Sequence, residues 1–203
     1  TGSINRIDEW IEKLLRFSEL KAEPEGRQSF PLQESILAGT ERALKQTAEM
    51  TVDVTRQFVP NDTVCANRVQ LEQLFFELMQ NALDAVQDVA SARIVLRTEI
   101  VGSTVVASVE DNGHGLEALT KGSLFEPFNS KKSSGLGLGL AYAQRVALLH
   151  GGSLAIAPAA GSGTSVRLVM PAASPPGAES RKAVRAQPGT APAAPTAIPS
   201  EPT

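Results

Sequence analysis

Thr104-Val105-Val106-Ala107-Ser108-Val109-Glu110 runs straight into Asp111-Asn112-Gly113-His114-Gly115. The first seven residues are rich in β-branched side chains and read as a strand, with Val105, Val106 and Val109 deeply buried. Gly102-Ser103 separates them from a second such run, Arg93 to Val101, which makes the pair a β-hairpin. A carboxylate at the buried end of such a strand needs hydrogen-bond donors. The exocyclic amine of adenine is one such donor, and Gly113 and Gly115 let the backbone approach a flat ring closely. Asp-Asn-Gly is also an ordinary turn, so this stretch alone leaves both readings open.

Working outward, Asn67 is placed to cap a long helix running to about Val89, whose inner face carries Leu71, Leu74, Phe75, Leu78, Ala82, Leu83 and Val86. Glu77, Asn81 and Asp84 lie four and then three residues apart, so one stripe of this helix presents two carboxylates and a carboxamide. An Asn oxygen can ligate a hard cation such as Mg²⁺, and Glu77 can orient or deprotonate a nucleophile. The same stripe also reads as a polar helix face in solvent. Downstream, Gly135-Leu136-Gly137-Leu138-Gly139-Leu140 opens another apolar helix, which ends at Leu149 before Gly151-Gly152. Alternate glycines at a helix start can offer successive N–H groups to phosphate oxygens, and Lys131 and Lys132 just upstream can neutralise their charge. No Gly-Lys-Ser/Thr follows, so this is not a P-loop, and its spacing is not that of a dinucleotide fingerprint.

The flanks complete the organisation. Ile4, Ile7, Ile11 and Leu14 recur at helical spacing, with Leu15 and Leu20 beside them, and predict an amphipathic helix over 4–21 that needs a partner, either another helix of a larger module or its own domain. Glu23-Pro24-Glu25-Gly26 ends it and opens a linker. Phe30 to Leu32 reads as a short strand, 33–50 as a helix with Ile36, Leu37, Ala43 and Leu44 inward, and 51–58 as a strand. Ser153 to Ala157 and Thr164 to Met170 form a closing hairpin, with Gly161 and Gly163 in its turn. From Ala172 the chain turns to alanine, proline, serine and threonine and is expected to be disordered. Two antiparallel hairpins among helices favour a sheet covered by helices over a parallel doubly wound fold.

Composition bounds the rest. With 203 residues, 42% of them hydrophobic, the chain can bury one core and carry extensions. A net charge of −3 offers no long-range attraction to nucleic acid or an anionic membrane, and no stretch approaches a bilayer span. The single cysteine, Cys65, excludes an internal disulfide and suits a reducing cytoplasm.

In order and spacing, the three polar elements resemble the N, G1 and G2 boxes of the GHKL ATPase superfamily. The chain is similar to the catalytic and ATP-binding domain of bacterial sensor histidine kinases. Leu124-Phe125-Glu126-Pro127-Phe128 resembles their F box, and Gly161-Ser162-Gly163-Thr164 their closing hairpin. The resemblance implies a two-layer α/β sandwich of the Bergerat type, a mixed sheet covered by helices on one face, preceded here by one amphipathic helix. It divides the chain into 1–22, resembling the end of a dimerisation and phosphoacceptor module; a linker, 23–29; the catalytic domain, 30–171; and a tail, 172–203.

The resemblance also assigns roles. Asp111, with Gly113, Gly115 and Thr164, would bind adenine. Asn81 would hold Mg²⁺, with Asp84 beside it and Glu77 in the position of the general base. Lys131, Lys132, Gly135, Leu136, Gly137, Leu138 and Gly139 would line the phosphates of ATP. The implied activity is transfer of the γ-phosphoryl group to a histidine on a helical module outside this chain, for relay to a response regulator. The intact kinase would be a homodimer. Neither His114 nor His150 sits in a phosphoacceptor context, only 129–134 separates Phe128 from Gly135, and Leu136 replaces the usual Thr or Ser. Two other readings fit the same motifs: a degenerate module that binds a partner without turnover, and an ATP-driven clamp of the same superfamily.

Overall fold

The structure is a computed structural model and describes residues 2–20, 26–47, 50–115, 123–129 and 137–173, with side chains from Trp10 onward. It opens with α1 (Gly2–Ser18), followed by β1 (Arg27–Pro31), α2 (Leu32–Gln46), β2 (Asp53–Gln57) and β3 (Thr63–Asn67). Next come α3 (Arg68–Ala85), the hairpin β4 (Arg93–Val101) and β5 (Thr104–Asp111), then α4 (Gly139–Leu149) and the hairpin β6 (Ser153–Pro158) and β7 (Thr164–Pro171).

Five strands form one mixed sheet in the order β2-β4-β5-β7-β6. β2 runs parallel to β4, and every other pairing is antiparallel. The period of two decides which side is buried. Ile94 and Leu96, Val105, Ala107 and Val109, and Leu168 and Met170 all point to one face and are at most 2% exposed. Leu71, Leu74, Leu78, Ala82 and Leu83 of α3 and Val146 and Ala147 of α4 complete that core. The opposite face carries the ion pairs Arg97–Glu110 and Arg167–Glu99, so it suits solvent. A sheet covered by helices on one face is therefore the observed architecture.

A two-stranded sheet, β1 with β3, lies at the margin and holds the chain's entry to the domain. The strand starts at Arg27, so 27–29 belongs to the fold rather than to a linker. β3 is absent from the sequence reading: its Thr63-Val64-Cys65-Ala66 is short, with its two β-branched residues adjacent rather than alternating. Asn67 caps α3 as expected, its side chain accepting from the Gln70 N–H at 3.1 Å. α3 stops at Ala85 rather than Val89, because the Val86 N–H is shared between the Ala82 and Leu83 carbonyls and the turn tightens.

α2 is also shorter than 33–50, and Leu37 faces outward at 38% exposure. The inward places are taken by Ile36, Gly39, Thr40 and Ala43, because Gly39 lets α2 approach the backbone of α3 at Glu72 and Phe76. At the far end Ala172 bridges Val64 and the Ala173 N–H donates to the Thr63 carbonyl at 2.8 Å. The fold thus extends through Ala173, two residues past the expected boundary. The rest of the expected tail, 174–203, lies outside the described residues.

α1 is helical as predicted. Phe17 packs on the core and Leu20, just beyond the helix, is buried, whereas Ile11, Leu14 and Leu15 are exposed at 49%, 40% and 54%. No helix among the described residues is long and apolar enough to cross a membrane.

Candidate functional site

The alternation of β5 explains why a carboxylate ends up inside. Val105, Ala107, Val109 and Asp111 share the core-facing side of the strand, so the last of them is an acid at 6% exposure. Its Oδ1 accepts two backbone hydrogen bonds, from Gly113 at 2.9 Å and from Thr164 at 3.2 Å. Among the described residues no hydrogen bond from a neighbour reaches Oδ2. Burial raises the Asp111 carboxyl above its ordinary value, and the two N–H donors pull it back.

Glycines let three segments meet here. Gly163, in the turn before β7, has φ +100, and a Cβ on it would stand 1.9 Å from the Asp111 carbonyl oxygen. A Cβ on Gly113 would stand 2.3 Å from the carbonyl oxygen of Ala85 at the end of α3. Gly115 lies against the Gly163 backbone, and Thr164 is buried beside Asp111. Asn112 is structural: its side chain accepts from the Arg93 N–H and donates to the Ser91 carbonyl, tying the hairpin to the start of β4.

α3 acts as a ruler between this corner and the rest of the cleft. Glu77, Asn81 and Ala85 follow one another at four-residue intervals, so each step along the helix is ~6 Å. The Asp111 loop meets the last of them, with the His114 N–H donating to the Ala85 carbonyl at 3.2 Å. The start of α4 meets the first two. A Cβ on Gly139 would lie 2.8 Å from Oε2 of Glu77 and 3.7 Å from Nδ2 of Asn81. Glu77 is 6% exposed, and the Asn81 amide nitrogen is buried without a partner among the described residues. A buried unpaired amide marks a place where a ligand completes the bonding. Amide ends are assigned by their surroundings, so the same position can turn its oxygen to a cation.

Asp84 is on the same side of α3 but exposed, near the helix end. Gly137 (φ +68) and Leu138 lead into α4. Leu138 buries its side chain at 3% exposure, so its contribution to a ligand is backbone. Lys131, Lys132, Gly135 and Leu136 lie outside the described residues. The structure thus brings Glu77, Asn81 and Gly139 together at one end and Asp111, Gly113, Gly115 and Thr164 at the other.

Two further residues belong to this arrangement that the sequence reading left unassigned to the site. Gly163 is one, and its signal was the glycine pair in the closing turn. Gln73 is the other: its Nε2 donates to Oε1 of Glu77 at 2.7 Å, and a polar residue four before Glu77 was the available sign. The two histidines differ in exposure. His150 is 3% exposed at the end of α4, with Nε2 2.9 Å from the Gln70 side-chain oxygen, and burial lowers it to about 4. His114 is exposed, with Nδ1 3.0 Å from the Gly115 carbonyl.

Comparison with known proteins gives the arrangement its relatives. Residues 66–174 match the family described as histidine kinase-, DNA gyrase B-, and HSP90-like ATPase. The chain is 35% identical over 123 residues to the C4-dicarboxylate transport sensor protein DctB of Rhizobium meliloti, covering 60% of this chain and 20% of that protein. It is 30% identical over 174 residues to the signal transduction histidine-protein kinase AtoS of Escherichia coli, covering 83% of this chain and 27% of that protein. The chain therefore spans a quarter or so of these relatives. In three dimensions it is similar to the mycobacterial sensor histidine kinase MprB, with a TM-score of 0.63 at 25% identity over 71% of this chain and 97% of that one.

Proposed function

We propose, from the premise that the chain belongs to the histidine kinase-, DNA gyrase B- and HSP90-like ATPase family, that residues 27–173 are the ATP-binding catalytic domain of a sensor histidine kinase. The observation that carries this reading is the buried Asp111 carboxylate, one oxygen held by backbone N–H groups and the other awaiting a donor. Oδ2 of Asp111 accepts the adenine amine, and Gly113, Gly115 and Thr164 shape the slot around the ring. Asn81 offers its side-chain oxygen to Mg²⁺, a hard cation that takes oxygen ligands. When bound, the ion neutralises charge on the phosphate oxygens.

Gly137, Leu138 and Gly139 present backbone N–H groups at the start of α4, with Gly135, Leu136, Lys131 and Lys132 preceding them in the chain. Asp84 lies at the outer end of the Asn81 stripe. Glu77 orients the acceptor and takes its proton as the γ-phosphoryl group moves from ATP to an imidazole nitrogen. Catalysis rests on positioning and on charge neutralisation. The acceptor histidine belongs to a helical module that is not part of this chain, and a response regulator receives the group next. α1 supports that division: its exposed Ile11, Leu14 and Leu15 make a stripe suited to a partner helix. We read 1–22 as the end of that module, the complete kinase as a homodimer, and the compartment as the cytoplasm.

Titration of this chain with a non-hydrolysable ATP analogue, with and without Mg²⁺, tests the reading. Saturable binding is expected in both conditions, tighter with the ion, and Asn81→Ala should remove most of that difference, about tenfold. No binding at millimolar analogue would sink the nucleotide site. Mg²⁺ dependence unchanged by Asn81→Ala would move the ion elsewhere.

A further inference from the structure

Gln73 sits one turn before Glu77 on α3 and is 7% exposed. Its two amide ends are used in opposite directions. Nε2 donates to Glu77 Oε1 at 2.7 Å, while Oε1 accepts from an Arg42 Nη at 2.7 Å and from Arg16 Nη1 at 3.1 Å. Charge fixes this orientation. A reversed amide would set its N–H groups against two guanidinium groups and its oxygen against a carboxylate, losing three favourable contacts for repulsive ones. With Glu77 Oε1 committed to Gln73, the other carboxylate oxygen, Oε2, faces Gly139 at the start of α4.

The two arginines come from different parts of the fold. Arg42 belongs to α2 and stacks over the Phe76 ring at 3.8 Å, inside the domain. Arg16 belongs to α1, 57 residues from Gln73 along the chain, and is shared with Glu12 at 2.7 Å. Burial and then the nearby Arg16 charge lower the Arg42 guanidinium, while Glu77 and Glu72 favour its charged form. Tyr142 adds no charge, since burial and then Glu77 push its phenol up to about 12. Arg16 is half-exposed and repelled by its neighbour, which makes it the replaceable member of the cluster.

We propose that Gln73 is the positioning residue that fixes the rotation of the Glu77 carboxylate at the phosphate end, and that α1 acts on it through Arg16. The seating of α1 is then read inside the domain as the orientation of the Glu77 carboxylate. The inference rests on the role assigned to Glu77 above. Because α1 also carries the exposed stripe Ile11, Leu14 and Leu15, anything that draws the helix away removes one of the two clamps on Gln73.

The side-chain carboxyl resonance of Glu77, observed in the ¹³C-glutamate-labelled chain and assigned through Glu77→Gln, reads this directly and without nucleotide. Gln73→Leu should shift it most, and Arg16→Ala less; Arg16→Lys, which keeps the cation, should recover part of the Arg16→Ala shift. In the Gln73→Leu background Arg16→Ala should add nothing, since its route is gone. Binding of the ATP analogue should stay within about twofold in the Arg16 variants, because the Asp111 corner is untouched. A Glu77 resonance unmoved by Arg16→Ala, or moved equally with and without Gln73, overturns the proposal. Loss of analogue binding in the parent chain would instead strike the nucleotide reading, leaving the resonance result to stand by itself.

Discussion

The two ends of the cleft are built by different means. The Asp111 end is made of strands and turns: one buried side chain, two backbone N–H donors, and glycines at 113 and 163 with no room for a Cβ. The Glu77 end is made of helices, and its polar atoms are side chains aimed by other side chains: Glu77 by Gln73, and Gln73 by Arg42 and Arg16. Backbone donors in a sheet are fixed by the ladder, so they cost little to hold in place and do not readjust. Side-chain relays respond to whatever shifts the helices that carry them. Recognition of a base calls for the first kind of construction, and control of a reaction by a distant helix calls for the second.

The largest blow to this contrast should come from Gly163→Ala. Its Cβ would stand 1.9 Å from the Asp111 carbonyl at φ +100, so the turn has to leave its seat against β5. We expect a loss of roughly 3–5 kcal/mol in urea unfolding and no analogue binding in the fraction still folded. A Gly163→Ala chain with parental stability and affinity would show that the sheet end is as pliable as the helical one.

Asp111→Asn separates chemistry from architecture at the same corner. The asparagine oxygen still accepts from Gly113 and Thr164, but its other end is now a donor facing a donor. Analogue affinity should fall by on the order of 100-fold. Stability at neutral pH should hold or rise, because the Asp111 carboxyl is raised by burial and its ionised form is the disfavoured one in the fold. Isothermal titration and thermal melts of the same preparation check both halves.

A smaller effect sharpens the comparison through pH. A raised carboxyl such as Asp111 contributes stability that is present at low pH and lost as pH rises through its folded value. His150 has the opposite sign: held neutral and lowered from 6.5 to about 4, it contributes stability that is present above 6.5 and lost as pH falls toward 4. As pH falls between those limits, hydrogen-exchange protection, corrected for the intrinsic rate at each pH, should therefore drop at the end of α4 while β5 stays protected. His150→Leu should flatten that dependence, worth roughly 2–3 kcal/mol across the interval. Uniform acceleration in both regions would mean that the two halves open as one unit.

The same division governed what could be read in the residues beforehand. The hairpins over 93–111 and 153–171 were legible because alternation and glycine turns are local, and the burial of Asp111 was legible in the apolar run before it. Asn67 was legible as a cap for the same reason. Leu37 was misplaced because the inward slot was decided by how closely Gly39 lets α2 approach α3, which no single helix reveals. β3 needed β1 as a partner to become a strand. The Gln73 cluster joins α1, α2 and α3, so its meaning waited on tertiary placement, and the contact of Gly163 with Asp111 joins segments 52 positions apart only once β5 and β7 pair.

The small β1–β3 sheet has a mechanical consequence. The chain enters the domain at Arg27, opposite Asn67, and leaves it at Ala173, bonded to Thr63 at the other end of the same five-residue strand. Entry and exit are thus separated by little more than the length of β3, ~15 Å. A pull applied between them is borne first by the β1–β3 ladder and the Ala172 bridge. On the exit side the Ala172 N–H also donates to the Ser103 carbonyl at 2.9 Å, so the same pull reaches the turn between β4 and β5.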